Sequence, residues 1–162
     1  MNTHWPTASL DPVRRLRVMA AGLNAAMYAE AHLDLPLADI WAIAEDLEGE
    51  LPYLVPTIRD FRCRPTGTDR FPADASGPLG HAARFDVVLQ PGWCLMQTRQ
   101  IVGGMAAVEE GDGCRFAVLG ALRRPGSASL QKALRPLGRT RGHLMIERAA
   151  QRALIRRGRA TT

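Results

Sequence analysis

Three side chains have the chemistry of an acid, a base or a carbonyl-polarising group: His81, His143 and Arg115. Imidazoles exchange protons near neutral pH, and a guanidinium stabilises negative charge that develops on an oxygen. His81 opens a predicted strand and His143 lies on a predicted helix, so the two could meet across a cavity. The alternative is that both are surface or hydrogen-bonded histidines, and that Arg115 forms an ordinary cross-strand ion pair with Glu109.

Motifs that would assign a reaction are missing around these residues. The sequence has no H-E-x-x-H, G-x-S-x-G, P-loop or G-x-G-x-x-G pattern. Cys63, Cys94 and Cys114 form no C-x-x-C pair, and none has a His or Asn beside it in the sequence. We therefore expect no metal ion and no cofactor, and we interpret the cysteines as buried small hydrophobic residues.

Length and composition describe one globular domain. The chain has 162 residues, of which 46% are hydrophobic and 23% charged, which excludes fibrous and disordered proteins. The longest uncharged runs, 18–29 and 87–98, are 12 residues each, whereas a membrane-spanning helix needs about 20. Because the cysteines are odd in number, we expect a reduced, cytoplasmic protein. A secretory signal is the alternative, since three arginines precede the run 18–31, but Asn24 interrupts that run.

Charge is distributed unevenly along the chain. Residues 1–122 have a net charge of −5, whereas residues 123–162 have a net charge of +10. The C-terminal arginines could contact an anionic membrane or an acidic partner, and the candidates are Arg148, Arg152, Arg156 and Arg157. A solvated helix face is the alternative. We do not expect nucleic acid as a partner, because the segment has no aromatic residue on which a base could stack.

The first half of the chain alternates helices with strands. Asp11 and Pro12 are typical of a helix start, and Pro36 begins a second amphipathic helix. Residues 65–80 contain three prolines, three glycines and two aspartates, which predicts a long surface loop. The predicted order is a loose tail over 1–10, a helix over 11–22, a strand over 27–33, a helix over 36–47, a helical turn within 51–56, and a strand over 58–64.

The second half predicts an antiparallel meander followed by a helix. Four β-rich runs cover 81–89, 93–102, 105–109 and 114–123, and we expect Gly103-Gly104 to form one of the turns between them. The apolar phase of the C-terminal helix changes side between Leu137 and Ile146. With Pro136, Gly138 and Gly142 at that point, the pattern predicts a break between 136 and 142 and a helix over 140–157.

Several segments together resemble a known superfamily. They are Leu33-Asp-Leu-Pro-Leu-Ala-Asp-Ile-Trp41, the acidic helix end Glu45-Asp-Leu-Glu, Leu51-Pro-Tyr-Leu-Val-Pro-Thr-Ile-Arg-Asp60, and the glycine turns of the meander. Over about 25–157 the chain is similar to the START-like helix-grip superfamily (SRPBCC), the polyketide cyclase/dehydrase and lipid-transport group. The resemblance implies an α+β fold in which a curved antiparallel β-sheet wraps around a long C-terminal α-helix. We expect residues 25–162 to form this domain, with residues 1–24 adding a tail and a short helix.

The resemblance also implies a hydrophobic cavity between the sheet and the C-terminal helix. The side chains that would supply its apolar walls are Trp41, Tyr53, Phe61, Phe85, Trp93, Met96, Met105, Phe116 and Met145. The alternative is that they simply fill a core. Our leading hypothesis is binding, or transport, of a hydrophobic small molecule or lipid. The competing hypotheses are a polyketide cyclase/aromatase-like enzyme of the same fold and an interaction module that uses the basic C-terminal helix. No pattern indicates the oligomeric state.

Overall fold

The computed structural model describes residues 9–123 and 126–162, so most of the predicted N-terminal tail lies outside the described residues. Four helices and seven strands follow one another within these ranges. In chain order they are α1 (Pro12–Gly22), β1 (Met27–Leu33), α2 (Leu37–Glu45), α3 (Leu51–Leu54), β2 (Asp60–Cys63), β3 (Arg70–Ser76), β4 (Ala82–Gln90), β5 (Trp93–Gln97), β6 (Ile101–Glu110), β7 (Gly113–Leu122) and α4 (Ser127–Ala160).

The strands form one antiparallel sheet. Its order is β1-β7-β6-β5-β4-β3-β2, so β2 to β7 are a continuous meander and β1 pairs with the last strand. The sheet is curved, and α4 packs across its inner face. Side chains alternate between the two faces, as β4 illustrates: Phe85 and Val87 point inward, whereas Arg84 and Asp86 point outward. The predicted α+β fold with a long C-terminal helix is confirmed.

Helix α1 covers part of the outer face of the sheet. Its start follows from Asp11, whose carboxylate accepts a hydrogen bond from the Arg14 backbone N–H at 2.9 Å, and from Pro12 in the first turn. Val13, Leu16 and Ala20 form its buried stripe. They pack on outward-facing apolar residues of the sheet, so the molecule has a second, smaller core behind the sheet.

One predicted loop contains a strand. Residues 65–80 were expected to form a long surface loop, but β3 occupies Arg70–Ser76 and pairs with both β2 and β4. The loop prediction is therefore wrong for seven residues of this segment. Ala73 and Ala75 alternate toward the core, and the Pro72 carbonyl accepts a hydrogen bond from the Arg64 N–H at 2.9 Å. Pairing on both sides outweighs the local preference of proline and aspartate for loops.

Gly103 and Gly104 do not form a turn, which corrects the predicted hairpin. They lie inside β6, and the turn before that strand is at 98–100, where Thr98 Oγ1 accepts hydrogen bonds from the Gln100 and Ile101 N–H groups. A Cβ on Gly104 would lie 2.8 Å from Leu16 Cδ1, so the glycine admits the buried leucine of α1. Close approach of a neighbour, rather than a turn, explains this residue.

Helix α4 is continuous, which corrects the predicted break between 136 and 142. It runs for 34 residues with Pro136 inside it. Gly138 and Gly142 are points of contact with β1: a Cβ on Gly138 would lie 1.9 Å from the Ala26 carbonyl oxygen, and one on Gly142 would lie 2.7 Å from Ala29 Cβ. The apolar phase changes because the first half of α4 meets the sheet through glycines instead of leucines.

Candidate functional site

A cavity of about 760 Å³ lies between α4 and the inner face of the sheet. Met145 of α4 and Met27 of β1 bound it on one side, and the segment between α3 and β2 contributes Val55 and Ile58. The strands supply the remaining walls, including Phe61, Ala75, Ala83, Phe85, Met96 and Leu119. The volume is in the range of small-molecule sites, and almost every wall residue is apolar.

Small residues on the floor of the sheet leave this space open. Gly103 of β6 and Gly120 of β7 are directly paired and both line the cavity. Ala75 of β3 and Ala83 of β4 are a second such pair. Nothing larger than a methyl group rises from these four positions, so the side chains of Met27 and Met96 reach across the glycines instead. Flexible methionines can adapt to the shape of a ligand.

The cavity opens to solvent at one end of the sheet. Several of its wall residues are exposed, and we call these residues the mouth: Pro78, Leu79, His81, Ala82 and Ile101. Leu79, at the tip of the β3–β4 loop, is 84% exposed. The mouth therefore combines an apolar loop tip with the beginning of β6.

His81 is the one titratable side chain among the described cavity-wall residues. It is exposed at the mouth, and the Gly77 N–H donates to its backbone carbonyl at 2.8 Å. The hydroxyls of Thr57 and Ser76 are the other polar side-chain groups of the wall. A ligand deep in the cavity would thus contact apolar groups, and its polar end could reach a hydrogen-bonding partner at the mouth.

Four of the nine residues proposed as apolar walls line the cavity. Phe61, Phe85, Met96 and Met145 are in its wall, and the rings of Phe61 and Phe85 have centroids 6.0 Å apart. Trp41, Met105 and Phe116 are buried in the same inner core but do not reach the cavity. Ligand contact by any of them stays a prediction.

The other two aromatic residues lie elsewhere. Trp93 points to the outer face, where α1 covers it and the Arg15 guanidinium lies 4.3 Å from its ring centroid. Tyr53 is 58% exposed on α3, and the Arg152 guanidinium lies 4.2 Å from its ring centroid. Both rings thus stack with a cation rather than face the cavity.

Sequence reasoning missed the residues that make the cavity. Met27, Gly103 and Gly120 were interpreted as parts of strands or turns, and Leu79 as part of a loop. That Gly103 faces Gly120 follows only from the register of β6 on β7. This register could not be predicted, because the predicted strands stopped at 102 and began again at 105.

The three candidate catalytic residues do not converge. His143 is exposed on α4 and does not line the cavity, so it does not face His81 across it. Arg115 points to the outer face, where its Nε donates to Glu110 Oε1 at 2.8 Å. The predicted ion pair between Arg115 and Glu109 is wrong, because the register of β6 on β7 places Glu109 opposite Cys114. The pKa of the Glu110 carboxyl is lowered, mainly by the hydrogen bond from Arg115 and to a smaller extent by the one from His32.

The cysteine thiols are not activated. Cys94 and Cys114 are buried, and Cys63 is half-buried. Burial raises the pKa of Cys94 to about 12, and burial together with the charges of Glu48 and Asp46 raises the pKa of Cys63 to about 11. At neutral pH both groups are uncharged thiols, which are poor nucleophiles.

Most of the predicted basic surface on α4 is engaged within the chain. Arg152 Nε donates to Glu50 Oε2 at 2.6 Å, and Glu50 is only 3% exposed. Arg156 bonds Asp46 at 2.5 Å, and Arg157 lies 3.6 Å from an Asp39 carboxylate oxygen. Of the four candidate arginines, Arg148 alone has no carboxylate within 4.0 Å among the described residues. The C-terminal half of α4 is therefore fastened to α2 and α3.

Neither a membrane-spanning helix nor a metal-binding cluster occurs in the described residues. None of their helices combines the length and the hydropathy that crossing a bilayer requires. No group of three or more His, Cys, Asp and Glu side chains within ranges 9–123 and 126–162 is arranged to hold a metal ion.

Comparison with known proteins identifies the fold. No protein-family model matches the sequence, and no curated protein matches it significantly. Among solved structures, TTHA0849 from Thermus thermophilus superposes with a TM-score of 0.58 at 18% identity, covering 80% of this chain and 97% of that one. The Thalictrum norcoclaurine synthase, solved with a transition-state analogue, gives 0.56 at 16% identity, covering 81% and 94%.

A third structure is that of a larger protein. The di-domain ARO/CYC StfQ from the steffimycin biosynthetic pathway gives a TM-score of 0.62 at 14% identity, covering 82% of this chain and 52% of that one. This chain therefore spans about half the length of the di-domain protein. At these identities the likeness concerns the backbone, and it agrees with the order of the sheet and the position of α4. The chain has the helix-grip fold.

Proposed function

We propose that the protein binds a hydrophobic small molecule or lipid in the cavity between the sheet and α4. The observation that carries this proposal is a floor made of paired small residues, Gly103 with Gly120 and Ala75 with Ala83, beneath apolar walls. A protein that needed only a packed core would fill such a space, because interiors are normally close-packed. Apolar burial would supply the affinity, and His81, Thr57 or Ser76 would orient a polar end.

Filling the cavity tests this proposal. Gly103→Leu places a side chain in the cavity, and its Cβ would meet Met96 Cε at an ordinary contact distance of 3.6 Å. Gly158→Leu is the matched control, because a Cβ there has nothing within 4 Å. Native mass spectrometry of the gently purified protein, followed by extraction, identifies any bound molecule. Titration with a fluorescent apolar probe then compares the variants.

We expect Gly103→Leu to weaken probe binding by at least about tenfold, the loss that ~1.4 kcal/mol of contacts represents, while Gly158→Leu binds as the wild type does. Thermal unfolding of both variants establishes that the fold is retained. Equal binding by all three proteins would show that the probe binds outside the cavity. An absence of binding by the wild type to any apolar probe, and of any co-purifying molecule, would refute the proposal.

A polyketide cyclase-like activity is the second candidate, and His81 is the observation that favours it. Its imidazole is at the mouth of the cavity, where it could exchange a proton with a polar end of a substrate. The StfQ structure is of an ARO/CYC protein, and that activity belongs to that protein. Binding is the better supported function, because the described walls have no titratable group deeper than the mouth. Turnover that His81→Ala abolishes at unchanged affinity would reverse this order.

A further inference from the structure

A groove of about 520 Å³ lies on the outer face of the sheet, on the side away from the cavity. It crosses β3, β4 and the end of β5, beside the area that α1 covers. Four arginines line it, and we call this surface the arginine groove after them: Arg70, Arg84, Arg99 and Arg123. The sheet itself separates this groove from the cavity.

Three of these arginines lie in one row across the sheet. The register of β4 on β5, continued by two residues, places Arg84 opposite Arg99. Arg123 follows β7, and its backbone N–H donates to the Gln100 carbonyl at 2.7 Å, in the same turn as Arg99. Because adjacent strands are about 4.8 Å apart, the row from β4 to β7 extends over about 14 Å. The groove is therefore lined with cations along its length.

Positive charge exceeds negative charge in the arginine groove. No carboxylate of the described residues lies within 4.0 Å of the Arg99 or Arg123 guanidinium. The other two groove arginines have one carboxylate partner each in or beside the groove, Asp86 at hydrogen-bond distance and Asp74 at 3.4 Å. Residues 1–122 are acidic overall, with a net charge of −5, so this concentration of arginine is local. Such a groove attracts an anion.

Two neutral side chains of the groove can also donate hydrogen bonds. The Gln97 side chain is half-buried there, and its amide forms no hydrogen bond with any other described residue. The Thr98 hydroxyl oxygen accepts hydrogen bonds from the Gln100 and Ile101 N–H groups, which leaves its O–H to donate into the groove. A half-buried amide without a partner is a group that a ligand can satisfy.

We infer that the arginine groove binds a small molecule that carries two or more phosphate groups. A guanidinium donates paired N–H groups that match the oxygens of a phosphate, and successive arginines along the row would each hold one phosphate. Gln97 and Thr98 would donate to the same oxygens from the floor. The volume is that of a small-molecule site.

Macromolecular partners fit this groove less well. Stable protein interfaces have an apolar core, whereas the side chains at this surface are mainly polar. A nucleic acid would lack a stacking partner, because the groove exposes no aromatic ring among its described residues. The groove is also independent of the ligand proposed for the cavity, since the two sites are on opposite faces of the sheet.

Isothermal titration calorimetry of the full chain tests the inference. The probes are inorganic phosphate, pyrophosphate and tripolyphosphate, with sulfate for comparison, all at one ionic strength because salt screens exposed charges. The variant Arg99→Gln/Arg123→Gln removes the two groove arginines that have no carboxylate partner. Arg135→Gln/Arg139→Gln is the matched control, because it removes two exposed charges from α4.

A second pair of variants tests the floor of the groove. Gln97→Ala removes the half-buried amide, and Gln100→Ala is its control, because Gln100 is exposed in the neighbouring turn and does not line the groove. Circular dichroism and thermal unfolding establish that each variant keeps its fold. Titration with the apolar probe, without phosphate, establishes that each keeps its cavity.

We expect affinity to rise from phosphate to pyrophosphate to tripolyphosphate, because each added phosphate contacts a further arginine. Arg99→Gln/Arg123→Gln should weaken tripolyphosphate binding by at least about tenfold, whereas the α4 control should change it by less than about twofold. Gln97→Ala should weaken binding by roughly fivefold, and Gln100→Ala should bind as the wild type does.

Any of four results would overturn the inference. The first is an absence of tripolyphosphate binding, and the second is an equal loss in the groove variants and their controls, which would assign binding to overall charge. The third is sulfate that binds as tightly as tripolyphosphate. The fourth is a glutamate-rich peptide that binds more tightly than tripolyphosphate, which would assign the groove to an acidic protein. None of them bears on the cavity, whose ligand is measured separately.

Discussion

Gly138 and Gly158 lie on the same helix, and alanine should have opposite effects at the two positions. In a helix interior alanine is favoured over glycine by about 1 kcal/mol, so a helix that contacts nothing gains stability from the exchange. Gly158 meets this condition, because a Cβ there has no atom within 4 Å. Since it lies in the last turn of α4, where helix propensity counts for less than in the interior, we expect Gly158→Ala to stabilise the protein by only about 0.5 kcal/mol.

At Gly138 the close contact outweighs helix propensity. A Cβ would lie 1.9 Å from the Ala26 carbonyl oxygen and 2.8 Å from its carbon, and these are backbone atoms that cannot move alone. Overpacking of this kind destabilises a protein by about 3 kcal/mol, and the higher helix propensity of alanine offsets about 1 kcal/mol of this loss. Gly138→Ala should therefore destabilise the protein by about 2 kcal/mol and lower its melting temperature by roughly 4–8 °C.

Thermal and urea unfolding of the two variants measure both effects. If α4 were broken near Gly138, that residue would be a flexible joint, and alanine would be neutral or stabilising there. A melting temperature of Gly138→Ala at or above that of the wild type would thus refute the close packing of α4 on β1. The sign of the effect decides the question, so it does not depend on the magnitudes above.

Two further predictions concern Glu50 and the cysteine thiols. Glu50→Gln should lower the unfolding free energy by about 2–3 kcal/mol. This loss is smaller than is usual for a broken buried ion pair, because the side chains of Arg152 and Arg156 can turn to water. A loss under about 0.5 kcal/mol in urea unfolding would contradict the prediction. The pKa values of Cys63 and Cys94 are raised to about 11 and about 12. Alkylation of these two thiols at pH 8 should therefore be far slower in the native protein than in the urea-unfolded chain. Equal alkylation rates in a mass-spectrometric time course would contradict this prediction.

Local patterns predicted the elements whose stability is local. Asp11 and Pro12 marked the start of α1, and the alternation around Phe85 marked β4, because capping, fixed proline geometry and side-chain alternation act within a few residues. The strand β3 was missed for the opposite reason. Its hydrogen bonds come from two neighbouring strands, while its own residues, such as Pro72, are typical of loops.

Placement of residues at the cavity depended on distant partners. Gly103-Gly104 has the composition of a turn, and only the arrival of Leu16 from α1 and the pairing with Gly120 make it part of a strand. Trp93 was expected on an apolar inner face, but α1 makes the outer face apolar as well. One signal was visible beforehand: residues 118–122 are apolar on both faces, which a sheet covered on both sides explains.

Because α1 covers only part of the outer face of the sheet, the two halves of the cavity wall differ in how much packing supports them from behind. Behind the floor at Gly103 and Gly120 lies a second packed layer, with Leu16 in contact with the sheet. Behind Phe61 and Phe85 the outer surface of β2, β3 and the first half of β4 carries mainly charged side chains, such as Arg62, Asp74 and Arg84. Local opening is easiest where few buried contacts resist it. A ligand larger than the resting space would therefore be accommodated by yielding of β2 to β4, so the cavity would have one stiff wall at its glycine floor and one compliant wall that sets its size tolerance.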